Sequence, residues 1–488
     1  MTTAGEHPGA PRIGILVVAY NAESTLEATL DRVPESFRPR IDEIIVADDA
    51  SGDDTFSAGV RWRSSNPFTR TTVVRHLENR GYGGNQKAGY RMAIDKGLDI
   101  IVMLHADGQY APECLPEIVD PIVDGRADAV FGSRMMEHGA ARRGGMPRYK
   151  LLGNKILTRV ENSLLDVSLS EFHSGYRAYS VRALADIPFE ENTDDFDFDT
   201  QIIVQLLDAG KRIVEVPIPT YYGDEICYVD GVKYARDVVK DVLEYRAARV
   251  GFGTARWIPS ASSYDLKSEQ DSSHRAILEH LKGHPPGKVL DVGCSSGLLS
   301  ERIRALGHYV VGVDVADHPD VRARVDDFVV WDLDQGLPDL GGEFDVVVAA
   351  DVIEHVRHPD ELLARCAQVL APSGRIIVST PNFGHWYART RVLTGTFDYD
   401  RRGILDEGHV RLFGRRGLLR TIREAKLSVE DLRYTGLPLG VVTEGRGGRL
   451  ANLVKRIDRR LVRLRPTLFA YQFVATLRAR NFDSIVHG

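Results

Sequence analysis

Short, uninterrupted apolar runs alternate with amphipathic stretches twice along this chain, and that alternation restricts its fold more than any other feature. The first series runs from IGILVVAY (13–20) through a helical ESTLEATLDRV to IDEIIVAD (41–48). It continues with TTVVRH, GGNQKAGYRMAIDKG, LDIIVMLH and ADAVFGS. Continuous apolar runs separated by helices predict a parallel sheet covered on both faces. Residues 251–270, GFGTARWIPSASSYDLKSEQ, break the pattern with glycine, serine and polar residues, and read as a linker, part of which could act as a lid. The pattern restarts at KVLDVG (288–293), HYVVGVD (308–314), FDVVVAAD (344–351) and GRIIVST (374–380). Different loop chemistry in the two series predicts two α/β domains, at 1–250 and 271–440, rather than a repeat.

A chain of 488 residues is too long for one ordinary core, which agrees with that division. A net charge of −7 argues against a protein that holds nucleic acid through its overall charge. Cys114, Cys227, Cys294 and Cys366 are scattered, a spacing that suits a reducing cytosol better than a disulfide framework or a zinc site. The first residues lack the apolar core of a signal peptide, and no apolar run reaches the roughly 20 residues of a membrane span. The expectation is a cytoplasmic protein, at most peripheral to the membrane.

The last segment, 441–488, is different in kind. Lys455, Arg456, Arg459, Arg460, Arg463, Arg465, Arg478 and Arg480 stand against the single acid Asp458, interleaved with Leu453, Val454, Ile457, Leu461, Leu464, Leu468, Phe469 and Phe473. A basic amphipathic helix of this kind can lie on an anionic membrane. The same pattern also suits a helix docked on its own domain with a solvated basic face.

In the second series, VLDVGCSSGLLS (289–300) reads as strand, glycine-rich turn and helix. Gly293 and Gly297 allow a tight turn and close backbone approach to a ligand. Asp314 closes the next strand, where a carboxylate can accept ribose hydroxyls. Asp332 follows DFVVW at a position suited to an adenine, and Asp351 ends the fourth strand. VLDVGCSSG, VGVD and FDVVVAADVIEHV followed by LAPSGRIIVSTPN resemble a class I S-adenosylmethionine-dependent methyltransferase of the ubiquinone and small-molecule type, over about residues 270–440. A dehydrogenase is the rival, but the third glycine of GxGxxG is absent. The resemblance implies a Rossmann-like fold. It implies Asp291, Gly293 and Gly297 around the methionine end of S-adenosylmethionine, Asp314 at its ribose and Asp332 at its adenine. Methyl transfer to a hydroxyl needs a base, for which His355 is the first candidate, with Glu354 and His409 behind it.

In the first series, Tyr20 and Asn21 end one strand and Asp48 and Asp49 the next, while Gly83 and Gly84 precede a helix. MLHADGQY then ends a fourth segment with His105, Asp107 and Gln109. Acids and glycines are also what turns require, but four such ends in order point to a ligand crevice. Together they resemble a family 2 glycosyltransferase of the dolichol-phosphate mannose synthase-like branch, with the GT-A nucleotide-diphospho-sugar fold, over about residues 12–248.

The resemblance implies Asp48 and Asp49 on the nucleoside and Asp107 on a divalent metal, Mg2+ or Mn2+, bound to the diphosphate. His105 is expected to neighbour the nucleotide. Arg134, Arg148 and Arg177 are expected to face an anionic polyprenyl-phosphate or lipid-linked glycan acceptor. Glu171 stands where the family often has Asp, and with Asp199 of DDFDFDTQ (which also carries Asp197) it is the catalytic candidate. His105 replaces the first Asp of the family's DAD, and AYN its PYN. The combined expectation is a metal-dependent, inverting sugar transferase fused to a methyltransferase acting on a hydroxyl. The alternative is that one half only binds or recruits.

Overall fold

β1 (Ile13–Ala19) is buried along its whole length, and this fixes the architecture of the first half. A strand with no solvent face must lie inside a sheet covered on both sides. In the computed structural model it pairs in parallel with β2 (Ile41–Asp48) on one side and β4 (Ile100–His105) on the other. β3 (Thr71–Arg75), β5 (Ala129–Ser133), β6 (Arg177–Ser180) and β7 (Ile213–Pro217) complete seven strands in the order β3-β2-β1-β4-β6-β5-β7. Among the described strands of this sheet, only β6 runs antiparallel to its neighbours. One apolar layer on each face includes Ile15, Val17 and Leu104 on one side and Leu16, Tyr90 and Met103 on the other. Parallel register aligns the carboxyl ends, pairing Ala19 with Asp48, Val18 with His105 and Asp48 with Arg75.

The second half forms its own seven-stranded sheet, ordered β10-β9-β8-β11-β12-β14-β13. Its strands are β8 (Lys288–Val292), β9 (Tyr309–Asp314), β10 (Asp327–Val330), β11 (Phe344–Ala350), β12 (Leu370–Pro381), β13 (Leu427–Thr435) and β14 (Gln472–Ala479). β14 is antiparallel to both its neighbours, and the other pairings on the β8 side are parallel. The expected boundary at 440 therefore needs correction: the C-terminal segment supplies an interior strand of this sheet. QFVATL is buried on both faces, so Phe473 belongs to the core and not to an amphipathic helix. The helix in this segment is Arg449–Leu464, with Leu453, Val454, Ile457 and Leu464 exposed.

The structure describes residues 9–67, 69–219, 221, 229–253, 255–258, 272–438 and 449–480. Most of the expected linker at 251–270 lies outside them. The chain divides into two compact units, Met1–Arg246 with Ala255–Pro259, and Ala247–Thr254 with Ser260–Gly488. No helix among the described residues is long and apolar enough to cross a membrane.

Candidate functional sites

In the first unit the carboxyl ends of β1, β2 and β4 bring Tyr20, Asn21, Asp48, Asp49, His105 and Asp107 to one edge of the sheet. Asn21 has a positive φ of 48°, and its Oδ1 accepts from Gly52 N at 2.9 Å, tying the end of β1 to the loop after β2. Asp48 is fully buried and held by the backbone and hydroxyl of Ser51, with Arg75 Nε 3.5 Å away. Asp49 accepts from Arg80 N at 2.7 Å and Gly81 N at 3.0 Å, at the start of the helix Gly81–Asp95. Burial raises its pKa above the usual carboxylate value, against the lowering by those backbone donors.

Asp107 is exposed, and one of its oxygens accepts from Gln109 N at 3.0 Å. That arrangement fits a single carboxylate ligand offered to a cation that other groups complete, because the second oxygen is left for the ion. Behind it, His105 Nε2 lies 3.3 Å from the Tyr82 hydroxyl, which donates to Asp199 Oδ2 at 3.1 Å. Burial lowers the pKa of His105, against the opposing charges of Asp107 and Asp199. Gly175 makes room for this ring: a Cβ there would come within 2.4 Å of His105 Nε2. Tyr82, Gln86 and Gly175 escape sequence reading. Only the i, i+4 spacing of Tyr82 and Gln86 on one helix signals a shared face.

Several expected roles are corrected. Glu171 is not open to a substrate. Its carboxylate accepts from Arg134 N at 2.7 Å, from Arg134 Nε at 2.9 Å and from Asn154 Nδ2 at 2.8 Å, with Arg134 Nη2 also bonded. Burial raises its pKa, and the charge and hydrogen bonds of Arg134 outweigh that and hold it below the ordinary value. Arg177 is 1% exposed, and donates to the carbonyls of Ser174, Asp199 and Phe172. Its guanidinium also lies 3.5 Å from Asp199 Oδ1, which in turn accepts from Gln86 at 3.2 Å. Both arginines are thus neutralised from within the fold, and Asp199 is already engaged on both oxygens. Arg148 is exposed at the first turn of the helix Arg148–Leu165, apart from this cluster. Gly83 and Gly84 are buried and serve packing: a Cβ on Gly83 would meet the Thr193 carbonyl at 2.5 Å.

In the second unit, β8 leads into Gly293 and Gly297, with φ of 69° and 77°, so the turn takes a left-handed path that side chains disfavour. Asp314 accepts from Ser295 N at 2.7 Å and Ala316 N at 3.0 Å, which fixes the carboxylate while leaving lone pairs for diol hydroxyls. Asp291 is 2% exposed, with Ser300 Oγ on one oxygen. Burial pushes its pKa up to about 7; Ser300 opposes this and the charge of Asp314 adds to it. Asp332 is exposed and caps the turn after β10 by accepting from Asp334 N at 3.0 Å. These residues fit a cofactor carrying a cationic end, a ribose and a base. Asp351 does not join them: Gln472 Nε2 reaches both its oxygens at 2.8 Å, and Ser379 Oγ donates at 2.6 Å, so its carboxylate ties β11 to β12 and β14.

His355 is exposed, with Nδ1 2.9 Å from the Gly408 carbonyl. A hydrogen on Nδ1 leaves Nε2 as the proton acceptor, the tautomer a base requires. The ring lies 4.8 Å from that of His409, and potential ligand atoms of Glu354, His355 and His409 all fall within 4.8 Å of one another. Among the described residues this is the one such group of three able to hold a metal ion. Burial lowers the pKa of His409, as does the neighbouring His355, which favours the neutral, ligating form.

Residues 14–187 match the family Glycosyl transferase family 2, and residues 269–432 match Methyltransferase domain. An undecaprenyl-phosphate mannosyltransferase of Micrococcus luteus is 30% identical over 212 residues, covering 42% of this chain and 82% of that protein. The chain belongs to glycosyltransferase family 2 and carries a methyltransferase domain. A polyprenol monophosphomannose synthase of Mycolicibacterium smegmatis is 29% identical to this family 2 glycosyltransferase, over 44% of its chain and 81% of the relative. A ubiquinone biosynthesis O-methyltransferase of Nitrosococcus oceani is 32% identical over 145 residues, covering 25% of this chain and 61% of that protein.

Proposed function

We propose that the first unit transfers a sugar from a nucleotide-diphospho-sugar to a polyprenyl-phosphate or lipid-linked glycan acceptor, with inversion at the anomeric carbon. The second unit methylates a hydroxyl of a sugar or related small molecule with S-adenosylmethionine, and the two act on one product. The observation that carries this reading is the shared crevice edge, where Asn21, Asp49, His105 and Asp107 converge from three parallel strand ends. Asp49 would hold the nucleoside, and Asp107 a Mg2+ or Mn2+ ion on the diphosphate, whose charge stabilises the leaving group. The mannosyltransferase relatives support a lipid-phosphate context. The helix Arg449–Leu464, with Leu453, Val454 and Ile457 exposed beside Arg456 and Arg460, supports contact with the cytoplasmic face of a membrane.

In the second unit, S-adenosylmethionine supplies an electrophilic methyl group on its sulfonium. Asp314 would orient the ribose, Asp291 would face the cationic end, and His355 would take the hydroxyl proton. A second reading is favoured by the grouping of Glu354, His355 and His409: a divalent cation there would lower the pKa of a bound hydroxyl, with His355 a ligand in place of a base. The alternative that one unit only binds is separated by the same assay.

The test is to incubate the full chain with candidate UDP- and GDP-sugars, Mn2+, a short polyprenyl phosphate, a lipid-linked glycan and S-adenosylmethionine, following product masses. A sugar increment followed by 14 mass units on the same product is expected, about the mass of one added methylene. Methylation proceeding equally well on unrelated small molecules would sink the joint reading.

A further inference from the structure

His105 stands where the family's DAD has its first carboxylate, and its surroundings decide which of its two ring nitrogens is left to accept. The Tyr82 hydroxyl lies 3.1 Å from Asp199 Oδ2 and 3.3 Å from His105 Nε2, and it has one hydrogen to give. Asp199, a carboxylate 3.5 Å from the Arg177 guanidinium, can only accept, so that hydrogen goes to Asp199. The contact that remains requires Nε2 to donate to the tyrosine oxygen. A neutral ring then carries its hydrogen on Nε2 and its lone pair on Nδ1. Among the described residues, no group hydrogen-bonds to Nδ1.

The ring is held by its other edge. A Cβ on Gly175 would lie 2.4 Å from Nε2 and 2.7 Å from Cε1, and Tyr110 packs edge-on at 4.9 Å between ring centroids. Leu104 and Ala106 lie in one apolar layer and Met103 in the other, and the Ala106 amide still donates to the Val18 carbonyl at 3.1 Å. The alternation of the strand therefore runs past His105 and brings Asp107 to the face of the imidazole. After burial, the charge of Asp107 is the strongest influence on the protonation of this ring, which reflects how near the two lie. Asp107 is exposed and spends one oxygen on Gln109 N. One carboxylate oxygen and one imidazole nitrogen are thus offered together at the end of β4.

We propose that His105, through Nδ1, joins Asp107 as a ligand of the divalent cation on the donor diphosphate, and that this pair selects a first-row transition ion over Mg2+. The proposal rests on the sugar-transfer reading above, in which Asp107 holds that cation, and it makes His105 a ligand in place of a neighbour of the nucleotide. Mg2+ takes oxygen ligands, whereas an imidazole nitrogen favours first-row transition ions, increasingly from Mn2+ to Co2+. A neutral ring in place of a carboxylate also leaves more of the ion's charge for the departing diphosphate. Tyr82 and Gly175 act as positioning residues, one fixing the tautomer and the other the place of the ring.

The experiment uses the full chain carrying His409→Ala as its parent, so that a cation at the histidines of the second unit adds nothing to the reading. Calorimetry with Mn2+ first shows whether UDP or GDP completes the site. Pulsed electron paramagnetic resonance of that Mn2+ complex is then recorded on protein made with natural and with 15N-labelled histidine. Expected is a nitrogen coupling to Mn2+ that changes from 14N to 15N with the label. It should be absent in His105→Asp and His105→Asn, each with the thermal melt of the parent. In competition, the preference for Co2+ over Mg2+ should fall about tenfold in His105→Asp. If His105→Asp fails to fold, His105→Asn decides alone. Bound Mn2+ without a histidine coupling, a coupling that survives in either variant, or an unchanged Co2+ to Mg2+ preference overturns the assignment of His105 and leaves the sugar-transfer reading intact. Failure of Mn2+ to bind with either nucleotide overturns both.

Discussion

If Asp291 faces the cationic end of S-adenosylmethionine, as proposed above, cofactor binding is proton-linked. The Asp291 carboxyl lies at 2% exposure near the end of β8, and burial together with the charge of Asp314 brings its pKa to about 7. A cofactor with a cationic ammonium and sulfonium placed beside it favours the ionised form. Below pH 7 the free protein carries a proton that binding must expel. The dissociation constant therefore rises about tenfold per pH unit below that point, so that affinity at pH 5 is roughly 100-fold weaker than at pH 7, equivalent to about 2.7 kcal/mol. Isothermal titration of the full chain with S-adenosylhomocysteine, which keeps the ammonium, at pH 5 to 8 and in buffers of different ionisation enthalpy gives both the slope and the number of protons released. Asp291→Asn should bind more weakly with a flat profile. A flat profile in the wild type, or an equal slope in Asp291→Asn, would refute the reasoning.

Glu171→Gln should lower the stability of the first unit by about 3–5 kcal/mol, because it leaves the Arg134 guanidinium buried without its counter-charge; urea unfolding of that transition measures the loss. Gly175→Val should abolish sugar transfer and leave methyl transfer unchanged, since the added side chain displaces the His105 ring; the two activities assayed on one preparation check this. Asp241, pushed up to about 8 by burial, has a folded pKa above its unfolded value. Its favourable contribution is complete below about pH 4 and is lost as pH rises through about 8, whereas Asp241→Asn lacks that fall, by on the order of a few kcal/mol in a pH series of melts. If Glu354, His355 and His409 hold a cation, EDTA should suppress methyl transfer in the wild type and added Mg2+ or Zn2+ restore it, while His409→Ala should not respond to either.

The strand ends were legible because parallel strands buried on both faces leave continuous apolar runs, and register then aligns whatever follows them. Asn21, Asp49 and Asp107 could be placed at one edge on that ground alone. Which carboxylates stay open could not be read, since the partner that closes each one lies far along the chain. Glu171 is engaged by a residue 37 positions away, Asp199 by Tyr82 across 117 positions, and Asp351 by Gln472 across 121. Asp197 and Asp199 look equivalent in DDFDFDTQ. Two residues apart at the start of the helix Phe198–Asp208, Asp199 meets Tyr82, Gln86 and Arg177, while Asp197 accepts from Thr193. The strand β14 was hidden by its neighbours, because arginines before and after it extend the basic periodicity of the preceding helix across a segment that is buried.

The position of β14 bears on how the second unit is made. Among the described residues β13 pairs only with β14, and residues 472–479 are synthesised well after 427–435. Until they leave the ribosome, β12 presents an open edge and β13 has nothing to pair with, so the sheet cannot close during translation of the segments that carry Asp291 and Asp314. A single proteolytic cut in the helix Arg449–Leu464 would not separate a dispensable tail. It would free the interior strand that also supplies Gln472 to Asp351.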